Sequence, residues 1–186
     1  LGKEIDHFER MAQGLAALIV EYRGLPMVKD NGFTEWRNML ERIRNPIGRV
    51  EIAVVGKYMD LHDAYKSIYE ALSHGGIHHQ LAVDLRKVRA EEVPARGAAA
   101  LLEGVDGILV PGGFGERGFE GKVQTIAFAR QRKIPFLGIC YGMQAAAVEF
   151  ARGVLGLPEA TTTEFRPDTS EPVIDMMEQQ KQVRDL

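Results

Sequence analysis

Lys133-Ile134-Pro135-Phe136-Leu137-Gly138-Ile139-Cys140-Tyr141-Gly142-Met143-Gln144 is the stretch on which the reading of this chain turns. Ile134 to Ile139 reads as a strand, with Pro135 tolerated near its start. Tyr141 to Val154 reads as a helix with Met143, Ala147, Phe150 and Ala151 on one face. Between them, Gly138-Ile139-Cys140-Tyr141-Gly142 is a small-x-nucleophile-x-small pattern at a strand-to-helix junction. A nucleophile on so sharp a bend sits in a strained backbone, and side chains two residues to either side would collide with the turn. The bend exposes the sulfur and sets it at a helix N-terminus, where the dipole and free N–H groups favour a thiolate. A lone cysteine is ordinarily a small buried apolar residue; the two glycines and the preceding strand argue for the elbow instead.

Composition narrows the alternatives. The chain has 186 residues, a formal net charge of −3 and one cysteine. One cysteine forms no internal disulfide, so a stapled secreted scaffold and a cysteine metal cluster are both excluded, and a reducing, cytoplasmic setting is expected. With 45% hydrophobic and 26% charged residues the composition is that of a globular domain. No apolar run approaches the ~18 residues of a membrane span, so no membrane partner is expected. The mild acidity argues against nucleic acid as a partner. The chain begins without an initiator Met or signal peptide and ends after a polar run, as a piece of a longer polypeptide would.

Working outward, Val50-Glu51-Ile52-Ala53-Val54-Val55-Gly56 is rich in β-branched residues and ends in glycine, as buried parallel strands do. Residues 63 to 74 read as a helix with Ala64, Ile68, Ala71 and Leu72 inward. Leu81 to Val88 alternates like a strand near an edge, Gly107 to Pro111 reads as a buried strand, and Lys122 to Arg132 as a helix. This alternation predicts an α/β fold, an open and mostly parallel sheet with helices on both faces. Residues 158–172, with three prolines and four threonines, read as a loop. Ahead of the sheet, residues 1–24 read as a helix with Phe8, Met11, Leu15, Leu18, Ile19 and Tyr22 on one face, stopped by Gly24. A shorter helix follows, capped by Thr34 and ended by Asn45-Pro46, in which Trp36, Met39, Leu40 and Ile43 are expected to pack in a core.

Sites in open α/β sheets form outside the carboxyl ends of the strands. A second glycine-rich segment, Pro111-Gly112-Gly113-Phe114-Gly115, falls at such an end. Paired glycines let backbone N–H groups approach a ligand, and an acyl-transfer nucleophile needs such donors for its oxyanion. Gly113-x-Gly115-x-x-Gly118 formally spells a dinucleotide fingerprint, but its place after an internal strand, the proline at its head and the lack of a clear helix start argue against a nucleotide there.

These segments together resemble the glutaminase domain of the class I glutamine amidotransferases, which have a flavodoxin-like sheet, and within them the CTP synthases. The resemblance rests on Val54-Val55-Gly56-Lys57-Tyr58 with Asp63-Ala64-Tyr65-Lys66-Ser67, on Pro111 to Gly118, and on Lys133 to Gln144. It implies that residues 1–49 are the tail of an ATP-dependent amidoligase domain plus a linker, and that residues 50–186 are a glutaminase domain without its C-terminal part. It implies that Cys140 attacks L-glutamine, with Gly113 and Tyr141 giving N–H donors to the oxyanion. Gln144 and Glu164, with Gly113, would hold the substrate, Glu164 meeting its α-ammonium. Lys66, Arg117, Gly118 and Glu120 would take part in activation by GTP. No cofactor is implied for this domain; ATP and Mg²⁺ belong to the amidoligase domain, and the full-length protein would be a homotetramer. Tyr141 stands where the family usually has leucine, an exchange expected to be harmless because the backbone N–H is what matters there.

The family also supplies a base and its orienter as a His-x-Glu pair after the cysteine. Here His7, His62, His74, His78 and His79 all precede Cys140, so none can form such a pair after it. His78-His79 are read as solvated loop residues rather than metal ligands. The expectation is therefore a glutaminase portion with negligible turnover on its own. The competing readings are a non-catalytic regulatory or assembly module of the same fold, and a stand-alone cysteine hydrolase or chaperone. Against the last stand the Gly-Lys-Tyr and Gly-Glu-Arg-Gly segments.

Overall fold

The β-branched run around Val54 lies at the middle of a parallel sheet. The computed structural model describes residues 14–15, 18–26, 34–61 and 63–177. In chain order the elements are α1 (Thr34–Arg44), β1 (Gly48–Gly56), α2 (Lys66–His79), β2 (Leu81–Arg89), a 3₁₀ turn (Ala90–Glu92), α3 (Val93–Arg96), α4 (Ala98–Leu102), β3 (Gly107–Val110), α5 (Phe119–Arg132), β4 (Phe136–Gly138), α6 (Tyr141–Gly153), β5 (Thr161–Thr162) and β6 (Pro172–Ile174). The main sheet runs β2-β1-β3-β4 with every pair parallel. A separate pair, β5 with β6, forms inside the stretch expected to be loop.

Side chains alternate across the sheet. Ala53, Val55, Val88, Ile108 and Val110 point into one core with Val93, Leu102, Val123, Ile126, Ala145 and Val148, so α3 to α6 cover that face. Each fully buried valine there contributes about 1.5–3 kcal/mol. On the other face α2 crosses close to β2: a Cβ on Gly76 would stand 2.6 Å from Val83 Cγ2 and 2.7 Å from the Leu81 carbonyl. Helices thus cover both faces, as the alternation predicts. Between α5 and α6, Arg130 grips the buried Glu149 with Nη2–Oε1 at 2.8 Å. Removing the arginine would strand that carboxylate.

Three expectations about faces fail in whole or in part. Ala64, just ahead of α2, and Ala71 are exposed, whereas Ile68 and Leu72 are half-buried on the side of Gly76, the one fully buried residue of α2. In α6 the buried residues are Tyr141, Gly142, Ala145, Val148, Glu149 and Ala151, whereas Met143 and Phe150 lie outside and Ala147 is half-buried. Trp36 is 56% exposed, and α1 buries none of its residues, so its apolar stripe is not a core stripe. The strand at residues 134–139 shortens to β4, a sheet edge with Leu137 and Ile139 exposed. Two short helices, α3 and α4, carry too few residues for a readable period; Pro94 sits in the first turn of α3, and Gly97 separates the two.

By backbone contacts the chain divides into Leu1–Glu41 and Arg42–Leu186. In the first unit the helical residues 18–22 stop at Gly24, φ +59°, as the glycine predicts. Phe8 and Met11 lie outside the described residues.

Candidate active site

Cys140 sits between β4 and α6 at φ +51°, ψ −105°, one of few non-glycine residues with positive φ, and its side chain is exposed. Such a backbone costs on the order of 1–3 kcal/mol and persists only where the surroundings enforce it. The glycines enforce it. A Cβ on Gly138 would stand 2.7 Å from the Gly142 carbonyl, and one on Gly142 would stand 2.1 Å from the Val110 carbonyl oxygen. The steric reading of the pattern is therefore literal: α6 starts with its backbone against β3. The N–H groups of Met143 and Gln144 donate to the Cys140 carbonyl at 3.0 and 3.1 Å, closing the first turn. Gln144 is half-buried in that turn.

The second glycine segment faces the elbow. A Cβ on Gly112 would lie 3.7 Å from Cys140 Cβ, so the turn after β3 abuts the cysteine. Side chains from three other elements hold this loop. Lys57 Nζ donates to the Phe114 carbonyl at 2.7 Å. The Tyr141 hydroxyl donates to the Gly115 carbonyl at 2.6 Å. The Gly115 N–H donates to Glu164 Oε1 at 3.2 Å. Tyr141 thus does more than offer a backbone N–H. Its buried ring packs with Phe119 and Phe165 at centroid distances of 5.4 and 6.3 Å. Burial, with Glu164 and Glu116 nearby, holds its hydroxyl protonated well above the ordinary range.

The Gly-Lys-Tyr and Asp-Ala-Tyr segments meet as well. Tyr65 packs on Gly56, and its hydroxyl accepts the N–H groups of Lys57 and Tyr58 at 3.2 and 3.4 Å. That fixes the turn from which Lys57 reaches the loop. Lys122, in the first turn of α5, is fully buried; its Nζ lies 4.4 Å from the Tyr141 ring centroid and makes no hydrogen bond. Burial first, then Lys57, brings its pKa down to about 8, with Glu91 and Cys140 acting in the opposite sense. Neither Lys57 nor Lys122 was singled out from sequence as a site residue. The cue for Lys122 was a cation in a helix's first turn, where the dipole disfavours it.

Glu164 follows β5 and is exposed. The segment that carries it is held by Arg152 of α6, which donates to the Ala160 carbonyl at 2.6 Å, by the β5–β6 pairing, and by Phe165 packed on Phe119 and Tyr141. Arg152 also pairs with Glu120 at 2.9 Å. Arg117 pairs with Glu91 at 3.4 Å, next to Gly118, which sits at φ +77° against Ala90 and Glu91. Lys66 opens α2 and is exposed. Arg117 and Gly118 therefore gather at Glu91, while Glu120 is engaged by Arg152. One premise against a nucleotide loop is corrected: α5 does begin directly after Gly118. The loop before it is nonetheless occupied by the Lys57, Tyr141 and Glu164 contacts.

His78 and His79 end α2 rather than lying in a loop, with their rings edge to face at 4.9 Å; His7 and His62 lie outside the described residues. Among the described residues, no three His, Cys, Asp or Glu side chains gather as a metal site, and no helix is long and apolar enough to cross a membrane.

A cysteine on a glycine-flanked elbow beside a glycine-rich loop, both at strand ends of a parallel sheet, suits acyl transfer through a thioester. The sequence matches the glutamine amidotransferase class-I family over residues 60–185. The chain belongs to that family. Within it the similarity is to CTP synthases. That of Caldanaerobacter subterraneus is 52% identical over 165 residues, 89% of this chain and 30% of the relative. That of Desulfitobacterium hafniense is 50% identical over 175 residues, 94% of this chain and 33% of the relative. The chain thus spans about a third of the length of these curated relatives. Among solved structures, the glutaminase domain of Trypanosoma brucei CTPS with bound acivicin matches at a TM-score of 0.65 and 40% identity, over 69% of this chain and 50% of that one.

Proposed function

We infer that this chain is the glutamine-hydrolysing part of a CTP synthase, releasing ammonia for the ATP- and Mg²⁺-dependent amination of UTP by an amidoligase domain of the same polypeptide. The observation that carries the reading is Cys140 at φ +51°, held exposed at the start of α6 and abutting Gly112. Cys140 Sγ adds to the side-chain carbonyl carbon of glutamine, and the N–H groups of Gly113 and Tyr141 receive the oxyanion. Collapse expels ammonia and leaves a glutamyl thioester for water to cleave. Gln144 lines the site from the first turn of α6. Glu164 has one carboxylate oxygen engaged by the Gly115 N–H and offers the other to the substrate's α-ammonium, a charge-assisted contact.

The amide nitrogen leaves as ammonia only if it takes up a proton as its C–N bond breaks, and a base must then activate water. No His-x-Glu pair follows Cys140, the one such spelling, His7-Phe8-Glu9, lying far upstream of it, and His74, His78 and His79 lie on α2. The 186-residue chain alone is therefore expected to turn over glutamine negligibly. The same reading assigns GTP activation to Lys66, Arg117, Gly118 and Glu120, and makes the whole protein a cytoplasmic homotetramer. Two measurements test it. Ammonia release from glutamine should be near background. A glutamine-like electrophile should label Cys140 slowly, and the label should vanish in Cys140→Ala. Family-like turnover would sink the requirement for the missing pair. A chain that takes no label even with its thiol accessible would favour a non-catalytic assembly module.

A further inference from the structure

Lys122 heads the fully buried side chains of the described fold by volume. Much of its setting disfavours a cation, against the Tyr141 ring, Glu91 and Cys140, which favour one. It is the fourth residue of α5, near the positive end of the helix dipole. Its Nζ makes no hydrogen bond, and a buried charge without a partner is costly. A methionine would fill the same space at no such penalty. The ammonium nonetheless occupies one particular spot: 4.4 Å from the Tyr141 ring centroid, and 3.4 Å from where a Cβ on Gly113 would stand. Those are the two residues whose N–H groups are read above as oxyanion donors.

The geometry points to Lys122 as a positioning residue of the oxyanion site, a positive charge set behind the Gly113 and Tyr141 peptides that favours negative charge developing in front of them. This rests on the assignment of Cys140 as nucleophile and of those peptides as donors. The charged and titratable groups facing Lys122 are Lys57 at the end of β1, Glu91 in the 3₁₀ turn, and Cys140 at the elbow. Glu91 is shared with Arg117, so it neutralises Lys122 only in part.

Two electrophiles separate this role from a structural one. With p-nitrophenyl acetate, the Cys140 thiolate adds to the ester carbonyl carbon and the π pair moves to oxygen as an oxyanion. Collapse restores the carbonyl, expels p-nitrophenolate and leaves an acetyl thioester. With iodoacetamide, sulfur displaces iodide from the methylene carbon and no oxyanion forms. Both labels are read on the Cys140 peptide by mass, with Cys140→Ala as background. In Lys122→Met at pH 7, acetylation should fall on the order of tenfold, less than loss of a direct donor would cause, while alkylation stays within about twofold. Lys122→Arg should keep more of the acetylation than Lys122→Met. In the unaltered chain the ratio of acetylation to alkylation should drop as pH rises through about 8, where Lys122 loses its proton, and in Lys122→Met it should be flat. The ratio removes the thiol's own titration. Equal loss of both reactions in Lys122→Met, or a ratio in the unaltered chain that ignores pH, would overturn the proposal. A chain that alkylates but never acetylates would overturn the assignment of the Gly113 and Tyr141 donors, and the proposal with it.

Discussion

Two glycine-rich turns stand side by side at the carboxyl ends of β3 and β4, and different physics holds each. At the elbow the glycines are required by backbone against backbone, with a Cβ on Gly142 only 2.1 Å from the Val110 carbonyl oxygen. In the loop after β3 a Cβ on Gly112 or Gly113 would find neighbours at 3.7 or 3.4 Å, close to ordinary contact. What fixes that loop is a set of side chains: Lys57, Tyr141 and Glu164 on its backbone, and Lys122 behind it. The elbow is rigid because nothing else fits; the loop is positioned because something else holds it. Glycine content alone does not distinguish the two.

Substitutions can break that contrast. Gly142→Ala should destabilise the fold most, by about 3–5 kcal/mol, because backbone and not a flexible side-chain end blocks the new methyl; chemical denaturation reads it. Retained stability would mean that α6 can lift off β3. Next comes Lys122. Its folded-state pKa of about 8 lies below the ordinary 10.5, so between those values the unfolded chain binds more protons, and stability should rise with pH across that window. Lys122→Met should be the more stable protein at pH 7, by up to about 3 kcal/mol, with the gap closing towards pH 10. A gap that widens with pH would show the ammonium to be stabilising.

Tyr141→Phe removes one tether and should cost about 1 kcal/mol, since the Gly115 carbonyl loses a buried donor. Labelling of Cys140 by an acyl electrophile should slow with it. The smallest effect is expected for Gly112→Ala, under about 0.5 kcal/mol, because the position has room and no positive φ. A large loss there would make the two turns alike after all.

What the sequence shows and hides follows the same division. The elbow was legible because its constraint is local: Gly138 and Gly142 act on residues within the turn and on the strand beside it. The sheet was legible because β-branched runs such as Val50 to Val55 have few other uses in a globular chain. The tethers were not legible. Lys57 and Phe114 are 57 positions apart, and nothing in either residue marks the other. The face of α6 was misread for a related reason. Periodicity favours large residues such as Met143 and Phe150, but the contact of α6 with β3 at Gly142 sets the inward face at Gly142, Ala145 and Val148, flanked by Tyr141 and Glu149, and Met143 and Phe150 turn out. The β5–β6 pair was hidden because strands of two and three residues carry too little pattern to read.

Cys140 and Gly113 take their positions from neighbouring strands of one hydrogen-bonded sheet, so errors in their spacing are those of a strand pair. Glu164 takes its position from a different frame: Arg152 spans the Ala160 carbonyl and Glu120, and Phe165, the next residue, packs on Phe119 and Tyr141. In terms of tolerance, the registration of Glu164 against the elbow is set by side-chain packing and one guanidinium rather than by a shared ladder, so slack introduced at Phe165 or Arg152 would reach the loop as misalignment of Glu164.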